Sequence, residues 1–289
     1  MPDIYAVGDA VEVTHFVTGQ KALILLAGPA NKQGRIAADN ICGIDSEYKG
    51  TIGSTVIKVF DLTAACTGLN EKAAKASGIA YERIVGYWGN HAGYYPGGRV
   101  MTMKVIFERG TYKLLGAQIV GYDGVDKRID VLATAMHAGL TALQLKDLDL
   151  AYAPPYSSAK DPVNMAGFII ENLSNGTLKQ FHWDEIDALP RDGSVTLLDT
   201  RTAGEFAGGH VHGFVNIPVD ELRQRLGELP AGKPVYVMCQ SGLRSYLSCR
   251  VLSQHGFDCY NFSGGYRLYA SVTGDRCAAG AALPCGMET

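Results

Sequence analysis

The 289-residue sequence predicts an α+β unit followed by an α/β unit built on a parallel sheet, and three observations carry that prediction. Apolar residues make up 47% of the chain and charged residues 19%, enough to bury cores in about two domains of ordinary size. Between residues 55 and 120, strand-like runs bounded by Gly, Asn or Asp precede two stretches whose apolar residues recur at three and four. Beyond the polar segment "SNGTLKQ" the pattern becomes strand, loop and helix in repetition, which implies parallel strands covered by helices.

The elements follow in order. "IYAVGDA" reads as an apolar strand stopped by Gly8 and Asp9, and an alanine-rich segment around Pro29 reads as a helix with proline in its first turn. "STVIKVF", "YERIVGYW", "RVMTMKVIF" and "KLLGAQIVG" predict one antiparallel sheet; "VDKRIDVLATAMHAG" and "SSAKDPVNMAGFIIENL" predict helices against it. In the second unit "VTLLDTR", "VNIPVDELRQRLGEL", "PVYVMCQSGLRSYLSCRVLSQHG" and "CYNFSGGY" supply the alternation, while "AAGAALPCGMET" has no periodicity. The expected division is 1–45, 46–175, 181–275 and a loose tail at 276–289.

Composition excludes several classes of partner. A formal net charge of -3 without a basic run argues against nucleic acid, and the longest apolar run, "ALILLAG", is far too short to span a bilayer. The seven cysteines are an odd count without a C-x-x-C pair, so neither a metal knuckle nor a local redox disulfide is expected. A reduced, cytoplasmic setting is the simplest reading.

One cysteine stands apart. With "KPVYVMC" as a buried strand and "RSYLSCRVLSQHG" as the next helix, Cys239 sits at the carboxyl end of a strand, where α/β folds place ligands. The loop Gln240, Ser241, Gly242, Leu243 and Arg244 turns the chain into the helix, so main-chain N–H groups converge on the sulfur and favour a thiolate. Gly242 allows the tight turn, Ser245 is placed to cap the helix, and Arg244 offers a forked cation to an anionic substrate. Taken alone, a cysteine after an apolar strand is an ordinary core thiol; the C-x-x-G-x-R-S frame reverses that balance.

Three separated segments in this order, "LLDTRTAGEFAGGHVHGFVNIP", "CQSGLRS" and "NFSGGY", resemble the rhodanese or sulfurtransferase family over roughly residues 181–273. The resemblance implies that Cys239 accepts a sulfane sulfur as a persulfide, cradled by Gln240 to Arg244. It also places Asp199, Arg201 and His210 in the family's strand and adjoining loop, where a structural role is expected: the first two bonded within the fold, His210 packed. Cysteine phosphatases use a related loop, but with five residues between Cys and Arg; here four intervene, which suits one sulfur atom better than a phosphoryl group.

"IYAVGDA" joined to "LAGPANKQGRIAADNICG" resembles the late flavin motif of FAD-dependent pyridine nucleotide-disulfide oxidoreductases. By that resemblance Gly8 and Asp9 would meet the ribityl chain, and the Ala27 amide would approach the flavin ring. "VFDLTAACTGLNE", "NHAGYYPGG" and "LDLAYAPPYSSAKDPVNMAG" resemble the dimerisation domain of the coenzyme A-disulfide reductase and NADH oxidase branch, including members with a fused rhodanese domain. There, tyrosines of this domain reach the partner's reacting thiol; Tyr94 and Tyr152 match best, with Tyr95 and Tyr156 close by. A phenol could donate a proton to a leaving thiolate, although tyrosines beside proline and glycine also serve plain loop packing.

The departure from the family is specific. No two of the 35 glycines are two apart, so the G-x-G-x-x-G cradle is absent for both the flavin's adenosine half and NAD(P)H. The expectation is a C-terminal piece of a longer flavoenzyme that uses FAD and NAD(P)H to reduce a disulfide or persulfide of coenzyme A or another small thiol. The piece itself would bind neither cofactor, form a homodimer, keep only the Cys239 chemistry, and leave "DIYAV" as a strand without its sheet. The alternatives are a non-catalytic dimerisation and interaction module, and a cysteine phosphatase.

Overall fold

A computed structural model describes residues 4–279. The chain divides into two compact units, the first running to Phe168 and the second from Ile169, with Ile84–Tyr87 grouped with the second.

The first unit opens with a two-stranded antiparallel ribbon, β1 (Val13–Thr14) and β2 (Lys21–Ala22), followed by α1 (Ala27–Ile41). Residues 4–7, read as a strand, pair with no other strand, and Gly8–Ala10 form a 3-10 turn. Ile4, Tyr5 and Val7 are exposed, which is the physical reason: an isolated segment gains neither ladder bonds nor a covered face. The sheet that follows is antiparallel where its ladders are described, in the order β3 (Thr55–Val59), β4 (Leu62–Gly68), β7 (Leu114–Gly121), β6 (Val100–Glu108), β5 (Tyr81–Gly89). The expected sheet is there, with β4 added and a short helix, α2 (Glu71–Ala76), that the sequence reading did not assign.

Helix α3 (Val125–His137) covers one face of this sheet. Its buried residues Val125, Ile129, Leu132 and Met136 recur at four, three and four, the spacing of one helical stripe. Met101, Met103, Val105, Ala117 and Ile119 answer them from β6 and β7. Fully burying side chains of this size contributes about 1.5–3 kcal/mol each before entropy is subtracted. Helix α4 (Pro162–Ser174) begins on a proline, as a first-turn position allows.

The second unit is a wholly parallel sheet in the order β10 (Val215–Asn216), β9 (Thr196–Asp199), β11 (Val235–Met238), β12 (Cys259–Phe262), β8 (Gln180–Phe181). Along β11, Val235 and Val237 join one core with Leu198, Leu252 and Cys249 of α6 (Leu243–Gln254). Met238 joins the other with Phe181, Leu197 and Phe262, against Tyr266 and Tyr269 of α7 (Gly265–Ala279). Alternating residues of one strand thus serve two faces, as a central parallel strand requires.

Two expectations change here. "DELRQRLGEL" forms turns and the 3-10 helix Leu226–Glu228, not an α-helix, because Leu222 and Leu229 must both reach the core within a short path back to β11. Helix α5 (Ala203–Ala207) precedes it. The tail read as loose from 276 continues α7 through Ala279; residues 280–289 lie outside the described residues.

Candidate active site

Strand β11 stops at Met238, so Cys239 lies at the carboxyl edge of the parallel sheet, between the neighbouring strands β9 and β12. Gln240, Ser241 and Gly242 carry the chain to α6, with Gly242 at φ 103°, a left-handed conformation that a residue with a Cβ adopts only under strain. This turn brings the Gly242 N–H to Cys239 Sγ at 3.1 Å. The Ser245 hydroxyl lies 3.2 Å from the same sulfur and 3.1 Å from the Gly242 carbonyl. Ser245 therefore does not cap the helix as expected; Gly242 holds the N-cap position, and the serine is turned toward the sulfur instead.

The loop is braced by the start of α7. Tyr266 N–H donates to the Cys239 carbonyl at 2.8 Å and Arg267 N–H to that of Gln240 at 3.0 Å. Gly265, at φ 60°, makes this approach possible, since a Cβ there would lie 2.6 Å from Cys239 O and 2.7 Å from Ser241 N. Cys239 itself is 1% exposed, while Leu243 beside it is exposed.

Arg244 differs most from its expected place. Its guanidinium is not held open for an anion: Nη1 and Nη2 each donate at 2.7 Å to the two oxygens of Glu205. The Arg244 fork holds the Glu205 carboxyl down to about 2 against a partial burial cost, with Thr202 adding to the effect. Thr202 N–H and its hydroxyl reach Glu205 Oε2 at 2.9 and 3.0 Å, so the carboxylate also closes the capping box of α5.

Asp199 and Arg201 form a buried pair, with Arg201 Nη2 donating to Asp199 Oδ2 at 2.7 Å and to the Gly209 carbonyl at 2.8 Å. The Arg201 guanidinium also lies 3.9 Å over the Tyr266 ring. His210 stacks on Phe206 with centroids 4.0 Å apart, yet its side is open to solvent, so it is packed on one face only. Cys249 is buried, and the adjacent Cys259 thiol together with burial pushes its own thiol well up, away from the ionised form.

In the first unit the fold brings together Tyr94 and Tyr152, 58 residues apart, with their phenol oxygens at 3.1 Å. That bond raises the Tyr152 phenol above its ordinary value. Tyr152 and Tyr156 line a cleft of about 600 Å³ with Asn90, Asp123 and Lys127, whereas Tyr95 packs edge-on against His91. The sequence reading missed what holds these loops. Arg128, 1% exposed, donates through Nη2 to Asp161 Oδ2 at 2.9 Å, to the Asn90 carbonyl at 2.9 Å and to Ser157 Oγ at 3.1 Å. Ala92 N–H adds a bond to the Ser157 carbonyl at 3.1 Å. One buried guanidinium thus ties the Tyr94 loop to the Tyr152 loop.

Gly8, Asp9 and Ala27 lie where α1 starts. Gly8 N–H donates to Gln33 Oε1 at 2.7 Å, which fixes the turn bearing the exposed Asp9 carboxylate, and Ala27 opens a helix with no side-chain cap. A free carboxylate and uncapped amides fit the hydroxylated chain and the ring edge of a flavin, but only that portion of it. Among the described residues no group of three His, Cys, Asp or Glu side chains could hold a metal, and no helix is long and apolar enough to cross a membrane.

Two family models match separate parts of the chain. Residues 54–162 match the pyridine nucleotide-disulphide oxidoreductase dimerisation domain and residues 182–271 the rhodanese-like domain. The chain is 38% identical over 174 residues to a coenzyme A disulfide reductase of Staphylococcus haemolyticus, covering 60% of this chain and 39% of that protein. A crystal structure of reduced Bacillus anthracis CoADR-RHD is 50% identical with a TM-score of 0.91, over 95% of this chain and 49% of that one. A NAD-dependent persulfide reductase from A. fulgidus is 41% identical with a TM-score of 0.82, over 92% and 48%. The chain therefore spans half or less of the length of these relatives.

Proposed function

From a chain that joins a pyridine nucleotide-disulphide oxidoreductase dimerisation domain to a rhodanese-like domain, we propose a sulfurtransferase site at Cys239 within a flavin-dependent coenzyme A-disulfide or persulfide reductase. The convergence of the Gly242 N–H and the Ser245 hydroxyl on one sulfur is the observation that carries the sulfurtransferase half. Two donors converge on this sulfur, placed to hold the negative charge that an attached sulfane sulfur carries, and the thiolate is the form that attacks a donor. The Cys239 thiolate attacks the outer sulfur of a donor, the donor's S–S bond breaks, and the remaining thiolate or sulfite leaves while Cys239 holds the persulfide. An acceptor thiolate or cyanide then takes the outer sulfur and returns Cys239 as thiolate. Gln240, Ser241, Leu243 and Arg244 shape the loop around the sulfur.

In such a reductase FAD would carry electrons from NAD(P)H to a disulfide or persulfide of coenzyme A or a similar small thiol. Asp9, Gly8 and the Ala27 amide would hold its ribityl and ring edge, and the Tyr94–Tyr152 pair, one phenol donating to the other, would supply a proton to a leaving thiolate. The similarity to proteins named coenzyme A disulfide reductase and persulfide reductase supports that assignment. A homodimer is proposed from the dimerisation domain and from the bare sheet face in which Ile57 and Val120, each paired to Ala64 through the ladders, are exposed.

The test is thiocyanate formation from thiosulfate or glutathione persulfide and cyanide. Activity that disappears in Cys239→Ala is expected; activity unchanged in that variant, or none in the parent protein, removes the sulfurtransferase assignment.

A further inference from the structure

We infer that Glu205 determines which donors deliver sulfur to Cys239, by keeping the Arg244 guanidinium paired so that small dianions are disfavoured and donors carrying sulfur on an organic thiol are preferred. This deepens the sulfurtransferase reading and rests on it.

The pairing geometry is the first support. Both terminal nitrogens of Arg244 are engaged at 2.7 Å by the two Glu205 oxygens, the fork-to-fork arrangement in which a guanidinium and a carboxylate cancel most of each other's field. A thiosulfate dianion at the loop would meet a neutral pair where a bare guanidinium would draw it in. To recruit that cation it would have to displace a carboxylate already desolvated on one side.

Second, Glu205 cannot easily step aside. Its carboxylate accepts the Thr202 N–H and hydroxyl, and its N–H donates back to Thr202 Oγ1 at 3.3 Å. Its carbonyl accepts from Nη1 of Arg201, which is locked by the buried Asp199. Releasing Arg244 would therefore leave the carboxylate fixed beside it. Third, exposed apolar side chains adjoin Arg244 on α6: Leu243 and Leu247, one helical turn apart, are 62% and 47% exposed. They offer an organic donor body an apolar surface that sulfite cannot use.

The chemistry balances for either donor. With thiosulfate, the Cys239 thiolate takes the outer sulfur, the S–S bond breaks toward sulfite, and a persulfide anion and sulfite dianion result. With an organic persulfide anion the same bond change releases the thiolate of the donor. The donors differ in the charge that must sit beside Arg244, and Glu205 acts on that difference.

The experiment compares kcat/KM for thiosulfate and for the persulfide of 2-mercaptoethanol, with cyanide as acceptor, in the full chain and in Glu205→Gln. The ratio of thiosulfate to organic persulfide should rise at least about fivefold in the variant, because an anion-selective effect appears when the compensating charge is removed. A ratio that stays the same or falls overturns the inference. Modification of Cys239 by iodoacetate and by iodoacetamide, followed by mass spectrometry of its peptide, gives a second readout independent of sulfur transfer. The anionic reagent should gain on the neutral one in Glu205→Gln and, to a smaller degree, in Glu205→Asp, and equal gains for both reagents count against the idea. Failure of the wild-type protein to make thiocyanate would remove the transferase reading, while the alkylation ratio would still decide whether Glu205 screens Arg244.

Discussion

At the scale of the residue, Glu205 is the group whose state is set most sharply by its neighbours. Its carboxyl is held down to about 2, below the ordinary carboxylate range, chiefly through the Arg244 fork. A carboxylate depressed on folding stabilises the native state above its unfolded value and loses that contribution as pH falls toward the folded one. Stability of the second unit should accordingly decline between about pH 4.5 and pH 2 through this group. Because both side chains are about a third exposed, the contribution is about 1 kcal/mol, and Glu205→Gln should flatten the thermal-melting profile over that interval. A profile of unchanged slope in the variant would deny Glu205 this role. The residue was partly legible in advance, since Thr202 followed by Glu205 spells a capping box. Its pairing with Arg244, 39 positions away, was not, because only the parallel topology brings α5 beside the cysteine loop. Ser245 was misassigned for a related reason: its spacing suits a cap, but Gly242 already supplies the turn and a nearby sulfur competes for the hydroxyl.

At the scale of the element, β-branched runs separated by glycine gave away β3, β5, β6 and β7, because a pleated half-buried surface selects those side chains. Strand β4 escaped: "LTAACTG" is small and weakly patterned, and it is a strand only because β3 and β7 bond it on both sides. "DELRQRLGEL" misled in the opposite direction. Arg225 does pair with Glu221 and Glu228 at helical spacing, yet the backbone forms turns, since a pair of exposed ion bonds is worth far less than seating Leu222 and Leu229. The loops that carry Tyr94 and Tyr152 depend on α3 through Arg128. Arg128→Met should destabilise the first unit by about 3–5 kcal/mol, because Asp161 is left buried and uncompensated. Denaturant titration measures the loss, and adding Asp161→Asn should restore a substantial part of it. A double variant no more stable than the single one would mean that the ion pair is not what joins the loops.

At the scale of the whole molecule, the two units obey different rules of cover. The parallel sheet is buried on both faces by its own helices. The antiparallel sheet is covered by α3 on one side and shows Ile57, Val59, Val100 and Val120 on the other. A second copy is the proposed cover, so Val120→Glu should shift the protein from dimer toward monomer in sedimentation experiments at micromolar concentration. Dimer strength unaffected by that charge would place the contact elsewhere. The order of units was legible from the change of periodicity at residue 175, whereas what the exposed face meets depends on surfaces that no single sequence displays.

The brace between Gly265, Tyr266 and the cysteine loop has a consequence for how the second unit can be rearranged. New chain ends placed at the exposed Ala231–Gly232 turn would leave every support of the sulfur in one continuous piece. Ends introduced between Ser263 and Gly264 would cut the strut that holds the Cys239 and Gln240 carbonyls, and a permuted protein of that design would keep its sheet but lose the fixed turn around the Cys239 side chain.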